Sequence, residues 1–225
     1  MPIASRAMHV VALVLVAIAA SGCASDAAEQ QAVELMQEGV EAGQAGDLEA
    51  AATLLEQAAE TRPGFIDPLM FLANVRERQG DYSAARDAYR RALQTDPTFT
   101  RAGVALAQAY IAERRFSEAR TWLHRCVDMD PGSVPAFFNL GILAEDDGDT
   151  ATALQWYRLA AVMNVWATPP ILHEGRIHLA EGRIDDAKNA AERAYTRDPN
   201  DRAVYDFVQA IRATERRLPP LPPRQ

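Results

Sequence analysis

The sequence predicts an all-α protein made of about five helical hairpins stacked in series. Three observations predict it. Small residues and prolines return every 34 positions: Pro63, Pro97, Pro131 and Pro199 share one column, and Ala51, Ala85, Ala119, Ala153 and Ala187 another. Ala58, Ala92, Cys126, Ala160 and Ala194 form a third column of small residues, and Gly46, Gly80, Gly148 and Gly182 a fourth, with Arg114 as its exception. Between these marks apolar residues recur at i, i+3, i+4 and i+7, the period of a helix with one buried face, and no stretch alternates as a strand does.

The elements follow in order. Residues 1–22 carry Arg6 and then an apolar run of 11 residues, Val10 to Ala20. A positive start, a short apolar run and small residues describe a secretory signal. The run is short for a membrane span, which needs about 20 apolar residues; an uncleaved signal anchor is the alternative. Residues 23–31 read as a tether. The repeats then frame as 32–65, 66–99, 100–133, 134–167 and 168–201.

Residues 66–99 show how each unit works. Leu69, Leu72, Ala73 and Val75 lie near one face of a first helix. Gly80 breaks it by supplying a left-handed residue. Ala84, Ala85, Ala88, Tyr89, Ala92 and Leu93 form the apolar face of a second helix, which Asp96-Pro97 ends because proline disfavours helix in the residue before it. Residues 202–217 continue as a capping helix with Val204, Phe207, Val208 and Ile211 on one face. Residues 218–225, LPPLPPRQ, are of polyproline type: either a ligand for a proline-binding domain or a spent end. Departures are local. Glu38 replaces an apolar residue, Arg114-Arg115 replace Gly-Asp, and NVWATPP replaces the usual Asp-Pro turn. Within that turn Trp166 reads as a packed loop aromatic or an exposed contact.

Composition bounds the function. The chain of 225 residues is 48% hydrophobic and 24% charged, a globular balance. Its formal net charge of −8 becomes −9 without residues 1–22, and Lys188 is its only lysine. An acidic body lacks the clustered positive charge that nucleic acid or anionic membrane surfaces attract. No catalytic set stands out. His9 lies in the signal, His124 is alone, and His173 and His178 are five apart and point to different helix faces, so no metal site is expected. The acids of AEDDGD, residues 144–149, lack the spacing of a calcium loop and read as a solvated helix end. No phosphate-cradling glycine loop is present, and no cofactor or small-molecule substrate is expected. Cys126 sits in an alanine column and reads as a small buried hydrophobe.

The 34-residue period resembles the tetratricopeptide repeat (TPR). The match lies in the small residue at position 8 (Gly39, Ala73, Ala107, Gly141, Gly175), the alanine at 20, the small residue at 27 and the proline at 32. It covers residues 32–201 and implies a right-handed superhelix with the first helices lining its concave side. Larger side chains at positions 8, 20 and 27 would overpack, at a cost of about 1–3 kcal/mol. In this family positions 5 and 9 commonly face the groove. Position 5 reads Met36, Met70, Val104, Phe138 and Leu172, and position 9 reads Val40, Asn74, Gln108, Ile142 and Arg176. An apolar stripe edged by amides and an arginine suits a peptide or helix laid in a groove, although packing within each hairpin would also explain apolar residues there. The carboxylate-clamp pattern of chaperone-binding relatives is absent; Asn74 and Asn139 are isolated pieces of it.

ASGC, residues 20–23, resembles the bacterial lipoprotein lipobox. The resemblance implies that Cys23 is acylated and becomes the mature N-terminus, each buried CH₂ adding about 0.8 kcal/mol of membrane affinity. Ala24, where inner-membrane lipoproteins often carry Asp, implies the periplasmic face of the outer membrane; inner-membrane or signal-anchored placement is the alternative. A lipobox ahead of about five repeats resembles the pilotins of type IV pili and the TPR lipoproteins of tight-adherence pilus loci. That implies a non-catalytic protein-protein scaffold assisting pilus or secretin assembly. The alternative is an accessory subunit regulating a peptidoglycan enzyme.

Overall fold

The computed structural model describes residues 26–164 and 167–217. The signal, Cys23, Trp166 and the proline-rich tail lie outside the described residues. All regular structure within them is helical. The chain divides into two compact units inside one helix, at Ala102–Gly103.

The first unit holds α1 (26–45), α2 (Leu48–Thr61), α3 (Ile66–Arg78), α4 (Tyr82–Thr95) and the start of α5 (Thr100–Ala112). α1 begins at residue 26, so residues 26–31, expected as tether, are already helical. The reason is local: Ala27, Ala28, Glu29, Gln30 and Gln31 are strong helix formers, and Glu29 pairs with Arg62 at 3.1 Å. α2 packs on α3, and α3 on α4.

The second unit holds the rest of α5, then α6 (Phe116–Met129), α7 (Val134–Asp146), α8 (Thr150–Met163), α9 (Pro169–Ala180), α10 (Ile184–Arg197) and α11 (Arg202–Arg217). Neighbours in sequence pack in series from α6 to α11, and α11 also touches α9. Val204, Phe207 and Ile211 of α11 are buried in one cluster with Ile171, Leu172 and the alanines of α10.

The same chemistry closes most hairpins. Gly46, Gly80, Gly148 and Gly182 hold φ between 74° and 92°, and Arg114 takes their place at φ 61°. Asp47, Asp81 and Asp149 then cap α2, α4 and α8, each accepting the N–H of the third residue on at 3.0 Å. Arg115 and Arg183 stand at the equivalent sites of α6 and α10 without a side-chain cap. Between hairpins, Asp96, Asp130 and Asp198 accept the N–H two residues on at 2.8–3.0 Å.

Small residues set how closely the helices approach. All five alanines at position 20 are 0% exposed. A Cβ added at Gly141 would lie 2.4 Å from the Tyr157 ring, and one at Gly39 would lie 2.8 Å from Leu55. The large residue at position 24 of the second helix therefore fills the space that glycine leaves at position 8 of the first. Cys126 is the one thiol in the position-27 column, and Gly103 lies opposite: a Cβ there would come within 2.5 Å of Sγ. Burial pushes the Cys126 thiol up to about 11, so it behaves as the small hydrophobe its column calls for.

Candidate protein-binding face

The first helices carry the candidate residues. In the first unit α1 presents Val40 and α3 presents Asn74 at the edge of a cleft of about 180 Å³, together with Gly39, Phe71 and Arg78. Met36 and Met70 are half-buried and Asn74 is exposed. Phe71, one residue beyond the position-5 stripe, is 41% exposed and offers more apolar surface than that stripe suggested. Arg78 donates to the Gly43 carbonyl at 2.7 Å and so ties α3 to the end of α1.

In the second unit the stripe is broken. Val104 and Leu172, expected to line a groove, are buried at 7% and 3% exposure. Leu172 serves the core because α10 and α11 cover it. Gln108 and Arg176 are exposed, and Ile142 is half-buried. Arg176 lines a cleft of about 470 Å³ between α9 and α11, with Leu179, Asp206, Phe207 and Ala210.

Phe138 is half-buried and held by an aromatic cluster across α7, α8 and α9. Its ring meets His173 edge-on at 5.2 Å and tilts against Tyr157 at 5.8 Å. Tyr157 donates to Glu145 at 2.6 Å, and His173 Nδ1 lies 3.1 Å from the same carboxylate oxygen. Burial first, and the bond to Glu145 second, raise the Tyr157 pKa, so its hydroxyl stays a donor. The cluster positions rings on a rigid face. Tyr157 Oη also lies 3.3 Å from His173 Nδ1, and its raised pKa keeps it protonated beside both groups. Glu145, one of the acids of residues 144–149 expected at a solvated helix end, is instead half-buried and bonded to Tyr157 and His173, and Tyr157 carries no motif of its own. Glu145 at position 12 and Tyr157 at position 24 recur as Glu77 and Tyr89, bonded at 3.2 Å, and that recurrence was the signal available.

His178 is buried, in contrast to half-buried His173, as their different helix faces predict. Next to it Glu174 is 4% exposed, and its carboxylate accepts from Arg158 at 3.1 Å and from Arg193 at 2.8 Å. Burial alone would raise this acid; the hydrogen bond from Arg158 and the charge of Arg193 reverse that and hold it below the ordinary 4.5. Among the described residues no group of three or more His, Cys, Asp or Glu could hold a metal ion. Within the same residues no helix is long and apolar enough to cross a membrane.

The tetratricopeptide repeat family matches residues 36–98, 76–144 and 171–201. The chain is a tetratricopeptide repeat protein. No curated protein matches its sequence. Solved structures share the fold at low identity. pilF of Pseudomonas aeruginosa is 19% identical with a TM-score of 0.68, over 85% of this chain and 91% of pilF. A thermophilic TPR protein of Thermus thermophilus is 20% identical with a TM-score of 0.63, over 80% of this chain and 98% of the other. YrrB, described as a TPR protein with an unusual peptide-binding site, is 16% identical with a TM-score of 0.57, over 83% of this chain and 97% of YrrB.

Proposed function

We propose that this TPR protein is a lipid-anchored, non-catalytic scaffold of the bacterial envelope that holds a segment of a partner protein and assists pilus or secretin assembly. One observation carries the binding role: Phe138, Ile142 and Arg176 lie on successive first helices of one compact unit, with Phe138 held in place by a ring cluster. A face of fixed rings and aliphatic side chains edged by an arginine suits an apolar segment carrying an acid. Peptide binding by YrrB and the shared fold with pilF support the reading at the level of the fold. The envelope setting rests on the signal-like N-terminus and the lipobox at Cys23, and the acidic body fits a protein held by acyl chains rather than by basic patches.

The test is capture of envelope partners from cells making each variant, with circular dichroism as the folding control. Phe138→Ala combined with Arg176→Ala is expected to weaken capture at least about tenfold, equivalent to about 1.4 kcal/mol. Full capture by a folded double variant would remove the site from this face. Mass spectrometry of the mature N-terminus tests the anchor: an acylated Cys23 is expected, and an unmodified N-terminus elsewhere would end the lipoprotein reading.

A further inference from the structure

The last two helices of the second unit leave open a place that α10 fills one repeat earlier. α10 returns against α9 and closes over Ala161 of α8 and Ile171 of α9, which are buried in one cluster with Ala187, Ala191 and Ala194. The residues equivalent to Ala161 and Ile171 one repeat later are Tyr195 of α10 and Tyr205 of α11. Among the described residues no helix follows α11, and these two rings are 56% and 63% exposed. They line a groove of about 510 Å³ between α10 and α11, with Val208 and Gln209 half-buried along it. The charged residues that line it are two cations, Lys188 and Arg212, against two acids, Glu192 and Glu215. The groove is therefore neutral in a chain of net charge −8.

We propose that α11 of a second copy of this chain lies antiparallel in the groove, so that two chains pair about a two-fold axis between Val208 and Gln209. Three observations select a second copy. The first is charge. Two chains of net charge −8 repel, and they can approach through a face whose own charges cancel. The second is self-complementarity, which a two-fold interface requires because both copies present the same patch. Arg202, Tyr205, Gln209 and Arg212 follow at steps of three, four and three, which is one face of α11, and Glu215 borders it. About this axis residue 205 faces 212, and residue 202 faces 215. Tyr205 of one copy then lies under the Arg212 guanidinium of the other, a cation–π pair. Arg202, whose side chain is 93% exposed, meets Glu215. Moving the axis by half a residue either way sets Arg202 against Arg216 or Asp201 against Glu215, so charge fixes the register. The third is area. At these exposures the two rings supply about 250 Å² per copy. Stable interfaces begin at about 600 Å² per partner, and the other exposed or half-buried lining side chains reach it at about 50 Å² each. Tyrosine in place of a smaller residue sets the incoming helix at the wide end of the about 8–10 Å spacing of packed helices.

The test is the oligomeric state of the full chain by sedimentation equilibrium, with circular dichroism as the folding control. An interface at the low end of the size range predicts a dimer with a Kd on the order of 10 µM. Tyr205→Ala is expected to weaken it at least about a hundredfold, because the substitution removes a ring from both copies. Arg202→Glu and Glu215→Arg each set two like-charged pairs face to face, and each is expected to weaken it at least about tenfold. Both changes suit the helix macrodipole, an acid at the start of α11 and a base at its end, so the helix itself is not weakened. Mixed in equal amounts, these two variants are expected to dimerise within about threefold of the wild type, since every 202–215 pair between them is again of opposite sign. A wild-type chain that stays monomeric at about 200 µM would overturn the proposal and leave the groove to a helix of another protein. So would a dimer that keeps its Kd with Tyr205→Ala, since it uses another face. A mixture that stays monomeric where each charge variant alone has dissociated would reject the antiparallel pairing. Partner capture by the α7–α9 face is a separate measurement, and neither charge variant is expected to change it.

Discussion

Replacing Glu174 with leucine is expected to stabilise the protein at neutral pH. Glu174 occupies position 7, which reads Leu72, Leu106 and Leu140 in the three preceding units and Val208 in α11. It is nearly fully buried, as is His178 with its Nε2 3.8 Å away, while its arginine partners Arg158 and Arg193 keep 57% and 45% of their side chains exposed. The carboxylate therefore bears the cost of leaving water, and each arginine can turn back to solvent once the acid is gone. Ion pairs with a half-exposed partner contribute about 0–1 kcal/mol each, whereas a buried leucine contributes about 1.5–3 kcal/mol. Isosteric apolar replacement of buried ion pairs is often neutral or stabilising by about 1–4 kcal/mol. Strain from branching at Cγ, and the loss of the acid beside buried His178, offset part of this, and the net expectation is a gain of about 0.5–2 kcal/mol. Glu174→Gln keeps the shape and loses the charge-assisted bonds, and should cost about 1–2 kcal/mol. The acid limb discriminates further. The folded pKa of Glu174 lies below its ordinary value of 4.5, so its contribution is present above that pH and is lost as pH falls through the folded pKa. The leucine variant lacks this loss, and its advantage should widen between neutral pH and about pH 4. Urea denaturation followed by circular dichroism at both pH values gives the answer. A leucine variant less stable than the wild type by about 1 kcal/mol at pH 7, or one with an unchanged acid slope, would refute the reasoning.

Other expectations follow from the columns. Ala85→Leu or Ala119→Leu should each cost about 1–3 kcal/mol by overpacking fully buried sites, against no change for Ala112→Leu on an exposed face, read as urea midpoints. Arg114→Gly should raise stability by about 0.5–1 kcal/mol: relief of the left-handed residue is worth about 1–2 kcal/mol, and the greater freedom of glycine in the unfolded chain takes part of it back. Gly80→Ala should do the reverse, and equal midpoints for the two would show that backbone strain does not govern these turns. Cys126, buried and titrating near 11, should react with iodoacetamide at pH 8 at least about a hundredfold more slowly in the folded chain than in urea; equal rates would show that the thiol is accessible.

The hairpins were legible because a 34-residue period averages out local ambiguity. One helix of alanine, arginine and tyrosine such as α4 has little to distinguish it, but Ala85 and Ala92 fall in columns that hold a small residue at every recurrence. Period says which residues face a partner helix; it does not say how far a neighbour covers the rim of that face. The position-5 stripe shows the limit. Met70 and Phe138 stay half-exposed, whereas Val104 and Leu172 in the same column are buried. A ring arriving from position 6 of the next unit, His173, supports Phe138, and α10 and α11 close over Leu172. Such coverings depend on residues 15 or more positions away and on other helices, where no local pattern points. Nothing local marks Glu174 either, since its arginines come from α8 and α10.

In a repeat chain a departure from its column is informative when packing gives it no return. Gly103 opposite Cys126 is a departure with a return, because the larger thiol fills what the missing side chain leaves. Arg114 has a weaker one: it holds a left-handed backbone and gains a contact over the Phe116 ring at 5.7 Å. Tyr195 and Tyr205 have none within the described residues, for each replaces a residue that elsewhere is covered and leaves a large ring in water. Exposing two aromatic rings side by side forgoes on the order of 2 kcal/mol apiece of burial. Residues that break a local rule without local compensation are the ones to assign to binding. By that criterion the α10–α11 groove and the α7–α9 face are different kinds of site. The face is built from residues that also hold the fold, so a partner can exploit it only as a preformed surface. The groove is open because, among the described residues, no helix follows α11 to cover Tyr195 and Tyr205 as α10 covers Ala161 and Ile171.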